Sequence, residues 1–226
     1  MTKNVLVTGG NRGIGLEIVK GMLSKGYKVL MGCRDEESGL EAKKDIVGGD
    51  LHIIEMPLDN ETAIVDAFVR AEAVYGPIDI LINNAGILDD TDWKDVNSET
   101  FAKSMQVNVN APLTLIQQTL PQMIERGFGR IINISSSYGS FAEGLKGPLC
   151  YAISKAALNA LTVKMAAVVD QAADGKSLDV TVNSMTPGWV HTRMGGSDAP
   201  RTPEEGADTA ICLLYTSPSP RDSCAS

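Results

Sequence analysis

Cysteine, histidine and long apolar runs are scarce in this chain of 226 residues. The four cysteines lie far apart without Cys-x-x-Cys spacing, and only two histidines are present, so neither a disulfide framework nor a metal site is expected. The chain has no run of about eighteen or more uncharged apolar residues, so no membrane span is predicted. The start "MTKNVLVTGG" leads into a strand pattern rather than into a signal peptide, and a cytoplasmic protein is predicted.

Basic residues are also in short supply. The chain has 20 lysines and arginines against 28 aspartates and glutamates, which gives a net charge of −8 at pH 7 and a pI near 4.8. Such a surface argues against binding to nucleic-acid phosphates or to anionic lipid, although a local basic pocket for one phosphate stays open. The expected partner is a small molecule, with no nucleic acid and no membrane.

Short β-branched runs alternate with longer helical stretches along most of the chain. Strands are predicted over 3–8, 27–33, 51–56, 78–83, 129–135 and 178–185, and helices over 13–25, 36–47, 61–75, 98–125, 151–173 and 203–213. Apolar strands separated by helices are typical of a parallel sheet covered on both faces. The sequence therefore predicts an α/β fold of the Rossmann-like, doubly wound type with three layers (α/β/α), in one domain over residues 1–213.

A glycine-rich turn, "TGGNRGIG" at 8–15, follows the first predicted strand and opens the first helix. Gly9, Gly13 and Gly15 are spaced to make a tight turn, to let the backbone approach a pyrophosphate, and to pack the helix against the sheet. The free N–H groups at the start of the helix would then bind phosphate oxygens. Turns also use glycine for steric reasons alone, but the position between strand and helix favours a dinucleotide-binding turn.

The second predicted strand ends in "MGCRDEE", where the choice of dinucleotide is made. A carboxylate at this point would bind the ribose 2′-hydroxyl of NAD, whereas an arginine accommodates the 2′-phosphate of NADP. Arg34 occupies about that place, and Arg12 in the glycine turn adds a second cation, which favours NADP(H) over NAD(H). Two alternatives stay open: Arg34 and Asp35 form a solvated pair, or Asp35 serves as the acid for NAD.

Six motifs follow one another in the order typical of one enzyme family. They are "TGGNRGIG" at 8–15, "NNAG" at 83–86, Asn108 in "VNVNAP", Ser136 in "IINISSSYG", "YAISK" at 151–155 and "PGWVHT" at 187–192. Together they resemble the short-chain dehydrogenase/reductase family, over residues 3 to about 213. No single motif is decisive, but six in sequence argue against coincidence.

Tyr151 and Lys155 are four residues apart at the start of a predicted helix, so their side chains share one face. A neighbouring ammonium favours the phenolate, which would lower the pKa of the tyrosine toward the operating pH. The resemblance implies that Ser136 polarises a carbonyl, that Tyr151 donates the proton, and that Lys155 also holds the nicotinamide ribose. It assigns Asn108 to a water that links the lysine to solvent; the alternative is a polar residue inside a helix that bonds to backbone.

Ser136 and Tyr151 are fifteen positions apart, and "FAEGLKGPL" at 141–149 is interpreted as a small insertion relative to compact members of the family. Ser135 and Ser137 flank the candidate serine, so the register is open to an error of one residue. Ser136 is chosen because it stands three residues before Gly139, as in the family's "S-x-x-G", and because its neighbours on a strand face elsewhere.

The resemblance implies further contacts to the cofactor. Asp59 is expected to receive the adenine amino group, with a helix N-cap as its alternative role. Val190 and Thr192 are expected to bind the nicotinamide carboxamide, and His191 between them to face solvent. The whole expected cofactor site comprises Gly9, Asn11, Arg12, Gly13, Ile14, Gly15, Arg34, Asp59, Asn84, Ala85, Gly86, Tyr151, Lys155, Pro187, Gly188, Val190 and Thr192.

The reaction that the resemblance implies is hydride transfer between NADP(H) and a carbonyl/alcohol pair, without a metal. "PGWVHTRMGG" resembles members that act on small aldehydes, ketones or quinones, as carbonyl reductases do. A reductase of 3-oxoacyl thioesters is the alternative enzyme. A module that senses NADP(H) without catalysis is the alternative of another class.

The last thirteen residues, 214–226, depart from the family pattern. "YTSPSPRDSCAS" has no β-branched run and has the composition of a disordered tail, so residues 214–226 are interpreted as a tail that is disordered or foreign to the protein. The family's final strand would then be missing. Members of the family form dimers through two long helices, here about 98–125 and 151–173, so a homodimer through these helices is expected.

Overall fold

Six strands and seven α-helices alternate in the computed structural model, which describes residues 2–175 and 178–214. The strands are β1 Asn4–Thr8, β2 Lys28–Cys33, β3 Asp50–Glu55, β4 Ile80–Asn83, β5 Phe128–Ile134 and β6 Asp179–Met185. The helices are α1 Gly13–Ser24, α2 Glu36–Lys43, α3 Glu61–Tyr75, α4 Ser98–Met105, α5 Ala111–Arg126, α6 Leu149–Ala173 and α7 Pro203–Cys212.

The strands form one fully parallel sheet in the order β3-β2-β1-β4-β5-β6. The order reverses between β1 and β4, and their carboxyl ends leave a crevice there, which is where ligands bind in sheets of this kind. The chain after β1 and the chain after β4 both enter this crevice. The prediction of a doubly wound α/β fold is confirmed.

Two apolar clusters cover the two faces of the sheet, as the near-continuous apolar strands require. On one face, α1 and α7 pack against strand residues such as Val5 and Ile82. On the other face, α3, α5 and α6 pack against residues such as Leu6 and Leu81. Because successive side chains of a strand point to opposite faces, neighbouring apolar residues of β1 and β4 belong to different clusters.

Three predicted helices differ from the observed ones by two residues or more. Helix α2 ends at Lys43 rather than at residue 47, because the chain soon reaches Gly48 and Gly49, which both have positive φ. Helix α6 begins at Leu149, directly after Pro148, rather than at residue 151. The helix predicted over 98–125 is interrupted by a π-helical turn, Gln106–Asn110, between α4 and α5.

Strand β6 is an edge of the sheet formed by the described residues, and no seventh strand occurs among them. Leu214 is buried in the cluster that includes α1 and α7, so the packed chain extends one residue past the predicted boundary at 213. Residues 215–226, which make up nearly all of the predicted tail, lie outside the described residues.

Candidate active site

The turn between β1 and α1 has a backbone conformation and a close packing that require glycine. Gly9 and Gly13 have φ of +62° and +51°, a region that other residues rarely adopt. A Cβ atom on Gly15 would lie 2.3 Å from the carbonyl oxygen of Gly9, so a side chain there would displace the turn. Arg12 is the N-cap residue of α1 and its side chain makes no capping hydrogen bond, which leaves the first N–H groups of the helix available to a phosphate.

Asn84 joins the ends of β1 and β4. Its amide nitrogen donates hydrogen bonds to the carbonyl oxygens of Thr8 and Gly9 at 2.9 and 3.1 Å. The hydroxyl of Thr8 in turn accepts hydrogen bonds from the backbone N–H groups of Asn84 and Ala85, each at 3.1 Å. These bonds hold the glycine turn against the segment 84–86, so the predicted residues of both motifs meet in the crevice.

Arg12 and Arg34 also lie close together at this edge. The positive charges of Arg193 and Arg34, together with partial burial as the largest cause, lower the pKa of Arg12. Arg34 has an exposed side chain with its Nε 3.7 Å from an oxygen of Asp35. The Asp35 carboxylate caps α2 by accepting a hydrogen bond of 2.9 Å from the Ser38 N–H, which also lowers its pKa. Asp35 therefore has a structural role that does not need a ribose.

Ser136 and Tyr151 meet where β5 ends and α6 begins. Burial raises the pKa of Tyr151, a hydrogen bond with Ser136 acts in the opposite direction, and the charge of Tyr138 adds to the rise. The Ser136 hydroxyl also accepts a hydrogen bond of 3.2 Å from the Tyr138 N–H. Ser135 is buried instead, with its hydroxyl 3.5 Å from the Lys155 carbonyl oxygen, so Ser136 is the serine that faces the tyrosine.

Lys155 lies one turn along α6 from Tyr151 and is 3% exposed. Its ammonium donates a hydrogen bond of 2.9 Å to the carbonyl oxygen of Ile134 and lies 5.6 Å from the centre of the Tyr151 ring. Burial lowers the pKa of Lys155 from 10.5 to about 8. The sequence-based expectation that Lys155 lowers the pKa of Tyr151 is wrong for this arrangement, because the lysine bonds to backbone and burial of the phenol dominates.

Asn108 is fully buried in the π-helical turn. Its carbonyl oxygen accepts a hydrogen bond from the Ile87 N–H, and its amide nitrogen donates to the Ile87 carbonyl and the Ser154 hydroxyl, each at 2.9 Å. This is the backbone-bonding arrangement that the sequence left open as an alternative. A Cβ on Gly86 would lie 3.2 Å from the Asn108 Oδ1 and 3.4 Å from the Lys155 Nζ, so the space above Gly86 is shared by both side chains. The water-binding role of Asn108 stays a prediction.

The segment after β6 folds back onto the glycine turn. Gly188 has a φ of +78°, and the guanidinium of Arg201 donates a hydrogen bond of 2.9 Å to the Pro187 carbonyl. Val190 is buried against α7, while a Cβ on Gly13 would lie 3.2 Å from the methyl carbon of Thr192. The fold thus places Thr192 against the start of α1, although the two segments are far apart in the sequence.

The order of these motifs, and the sheet that carries them, match a known family. Residues 3–202 match the family described as short chain dehydrogenase. The chain belongs to this family. Its members are NAD(P)-dependent oxidoreductases, and the chain is an enzyme of that kind.

The curated relatives of this short-chain dehydrogenase include proteins that are named as reductases of acyl thioesters. An acetoacetyl-CoA reductase of Rhizobium meliloti is 33% identical over 194 residues, which cover 86% of this chain and 76% of the relative. A 3-oxoacyl-acyl-carrier-protein reductase of Mycobacterium bovis is 32% identical over 194 residues, which cover 86% of this chain and 72% of the relative. Among solved structures, an NADPH-bound carbonyl reductase from chicken fatty liver has a TM-score of 0.81 and 30% identity, covering 98% of this chain and 94% of its own.

Other predicted cofactor residues of the short-chain dehydrogenase remain less closely placed. Asp59 is exposed after β3, and its alternative role as an N-cap is wrong, because the adjacent Asn60 caps α3 by accepting a hydrogen bond of 3.0 Å from Ala63. His191 is exposed, as expected. Asn11 and Ile14 belong to the glycine turn and the start of α1, and their roles stay predictions.

A buried polar chain behind the site was not foreseen from the sequence. The side-chain Nδ2 of Asn83 donates a hydrogen bond of 2.8 Å to the side-chain Oδ1 of Asn133. The Nδ2 of Asn133 donates one of 2.9 Å to the Thr162 hydroxyl. The chain ties β4 and β5 to α6, the helix that carries Tyr151 and Lys155. The repeated asparagines at strand ends were a signal, but their partner on α6 required the fold.

The predicted insertion lines a cavity of about 540 Å³ beside the start of α6. Gly147 and Ala152 line it together with Asp90, Asp92 and Trp93. Gly147 packs against the Tyr138 ring, since a Cβ there would lie 2.3 Å from that ring, and Tyr138 meets Tyr151 edge to face with 6.4 Å between ring centres. The cavity is lined by Ala152, the neighbour of Tyr151 on α6, but not by Ser136, Tyr151 or Lys155.

Proposed function

We propose that the chain is an NADP(H)-dependent reductase of small aldehydes, ketones or quinones that uses Ser136, Tyr151 and Lys155. The observation that carries this proposal is the meeting of Ser136 and Tyr151 beside the buried ammonium of Lys155, at the carboxyl edge of the sheet. Nicotinamide, when bound, supplies or accepts the hydride. The groups of the chain then have to orient the carbonyl and transfer a proton.

Ser136 donates its hydroxyl proton in a hydrogen bond to the carbonyl oxygen and so stabilises the charge that develops there. Tyr151 transfers its phenolic proton to the same oxygen. Because burial raises the pKa of Tyr151, the phenol is protonated at neutral pH, which suits reduction of the carbonyl. Lys155, with a pKa of about 8, carries its charge at pH 7 and is proposed to hold the nicotinamide ribose beside the tyrosine.

The cofactor choice follows from the cations beside the glycine turn. The Gly9–Gly15 turn and the uncapped α1 fit a pyrophosphate, because they offer free N–H groups and no side chain to obstruct it. Arg12 and Arg34 are proposed to bind the 2′-phosphate, since Asp35 is already used as the cap of α2. The likeness to a carbonyl reductase with NADPH bound supports NADP(H) over NAD(H).

The charge around the cavity supports a small carbonyl compound as substrate. The carboxylates of Asp90 and Asp92 line the cavity. The pKa of Cys150 on α6 is raised mainly by burial and, to a smaller extent, by the negative charge of the neighbouring Asp89. A CoA thioester carries several phosphate charges, which these carboxylates would repel. A neutral quinone or ketone would pay no such penalty.

A reductase of 3-oxoacyl thioesters is the second candidate, because the curated relatives described above reduce acetoacetyl-CoA and 3-oxoacyl-acyl-carrier-protein. Consumption of NADPH with a small quinone, an aromatic aldehyde and acetoacetyl-CoA separates the two candidates. The proposal expects the highest kcat/KM for the quinone or aldehyde, and a gain for acetoacetyl-CoA in the double variant Asp90→Asn/Asp92→Asn. A preference of the unaltered chain for acetoacetyl-CoA would contradict it.

We also propose a homodimer through α4, α5 and α6. Helix α6 is long and apolar enough to span a membrane by length and composition, but it carries Tyr151 and Lys155 on the face against the sheet. Its other side exposes Ile153 and Val163, at 39% and 53%. A second copy of the chain covering this side explains the apolar helix without a membrane, in line with the cytoplasmic location predicted from the sequence.

A further inference from the structure

Arg193 lies in the segment after β6, directly after the two residues assigned to the nicotinamide, and the site described so far gives it no role. Thr192 packs on Gly13, the first residue of α1, with its methyl carbon 3.2 Å from where a Cβ of Gly13 would stand. This contact places the backbone of Arg193 beside the N-terminus of α1. Of the two cations that lower the pKa of Arg12, Arg193 has the larger effect and Arg34 the smaller.

The turn that carries Arg193 is closed by its own hydrogen bonds. The Gly195 N–H donates to the Thr192 hydroxyl at 3.0 Å, the Gly196 N–H donates to the Thr192 carbonyl at 2.9 Å, and the Trp189 indole donates to the Gly195 carbonyl at 2.8 Å. A Cβ on Gly195 would lie 2.0 Å from the Val190 carbonyl oxygen, so the turn is tight. The backbone of Arg193 is therefore held in place by the hydrogen bonds of this turn.

Arg12 and Arg193 have no ion-pair partner among the described residues. Within the same residues, 2–175 and 178–214, Arg34 pairs only with its neighbour Asp35 at 3.7 Å. A guanidinium group repelled by two neighbouring cations, as Arg12 is, is stabilised by a nearby anion. Arg34 follows β2, on the side of the adenosine ribose, whereas Arg193 is on the side of α1.

We propose that Arg193 is a further cofactor-binding residue, which binds the pyrophosphate of the dinucleotide together with the N–H groups at the start of α1. The inference rests on the proposed function, because it needs a nicotinamide dinucleotide in the crevice. Arg34 then reads the 2′-phosphate, Arg193 the pyrophosphate, and Arg12 lies between them. The pyrophosphate is common to NADH and NADPH, so Arg193 contributes to affinity but not to the choice between the two.

The test is a fluorescence titration of the full chain with NADPH and with NADH, at low and high salt, in four variants. Arg193→Gln should weaken binding of both dinucleotides by the same factor, about tenfold at low salt and less at high salt. Arg193→Lys should recover part of the loss. Arg34→Gln should weaken NADPH alone. Arg70→Gln, on the exposed side of α3, is the matched control and should change neither.

Two results would overturn the assignment of Arg193. Unchanged affinity in Arg193→Gln would mean that the side chain does not touch the cofactor, and a loss confined to NADPH would move Arg193 to the 2′-phosphate. Failure of the unaltered chain to bind either dinucleotide would refute the proposed function itself and the inference with it. Circular dichroism of each variant separates lost contacts from lost structure.

Discussion

Lys155 is a buried cation with a proposed catalytic role, and replacing it by methionine should show what its burial costs in folding free energy. Methionine has a similar length and no charge. Lowering the pKa from 10.5 in the unfolded chain to about 8 in the folded one costs about 3 kcal/mol of folding free energy below pH 8. Lys155→Met removes that cost but also leaves the Ile134 carbonyl without its hydrogen bond, a loss of about 1–3 kcal/mol.

The two contributions separate by their dependence on pH. Between pH 8 and 10.5 the unfolded chain holds the lysine proton and the folded chain has lost it, so the unfolded state binds more protons and the stability of the unaltered protein rises with pH. The hydrogen bond to Ile134 does not need the charge. Relative to Lys155→Met, the unaltered protein should therefore gain about 2–3 kcal/mol of unfolding free energy between pH 7 and pH 10.

Urea unfolding at pH 7 and pH 10 measures this difference. Lys164→Met is the matched control, because Lys164 is exposed on the same helix, and its difference from the unaltered protein should stay constant. A gap between Lys155→Met and the unaltered protein that is the same at both pH values would refute the argument that burial sets the pKa of Lys155. The variant should also have lost turnover while remaining folded.

Three further predictions concern the residues around the site. Thr162→Val removes the acceptor of the Asn133 amide, and should lower the unfolding free energy by about 1–3 kcal/mol in urea; a loss within experimental error would mean that the polar chain contributes nothing. Gly15→Ala places a Cβ 2.3 Å from a backbone oxygen of the glycine turn and should weaken NADPH binding at least about tenfold by titration, whereas normal affinity would show that the turn yields. Asn108→Ala leaves the N–H and carbonyl of Ile87 unpaired, so hydrogen exchange at the Ile87 amide should accelerate; unchanged exchange would argue against its positioning role.

The alternation of apolar strands and helices was enough to predict all six strands, because a parallel sheet buried on both faces imposes that pattern over the whole chain. The interruption at Gln106–Asn110 was not predictable, since the partner of Asn108 in that turn, Ile87, lies in a separate segment and exchanges hydrogen bonds with its side chain. Local chemistry was also misjudged by one residue where Asn60, rather than Asp59, caps α3.

The candidate site shows the same division between pattern and geometry. The spacing of Tyr151 and Lys155 predicted that they share a helix face, but not that the ammonium would bond to Ile134 and leave the tyrosine pKa raised. Arg193 escaped notice because nothing in its own segment indicates that Thr192 packs on Gly13. Contacts between segments remote in sequence decide these points, and a single sequence does not record them.

The central claim is that Tyr151 transfers the proton, and the most direct measurement is NADPH binding together with carbonyl turnover in Tyr151→Phe. The control is Tyr138→Phe, which alters the ring that meets Tyr151 edge to face. The account predicts NADPH affinity within about twofold in both variants, turnover lowered about 10²–10⁴-fold in Tyr151→Phe alone, and near-normal turnover in Tyr138→Phe. Turnover by Tyr151→Phe close to that of the unaltered chain, with NADPH bound normally, would contradict it.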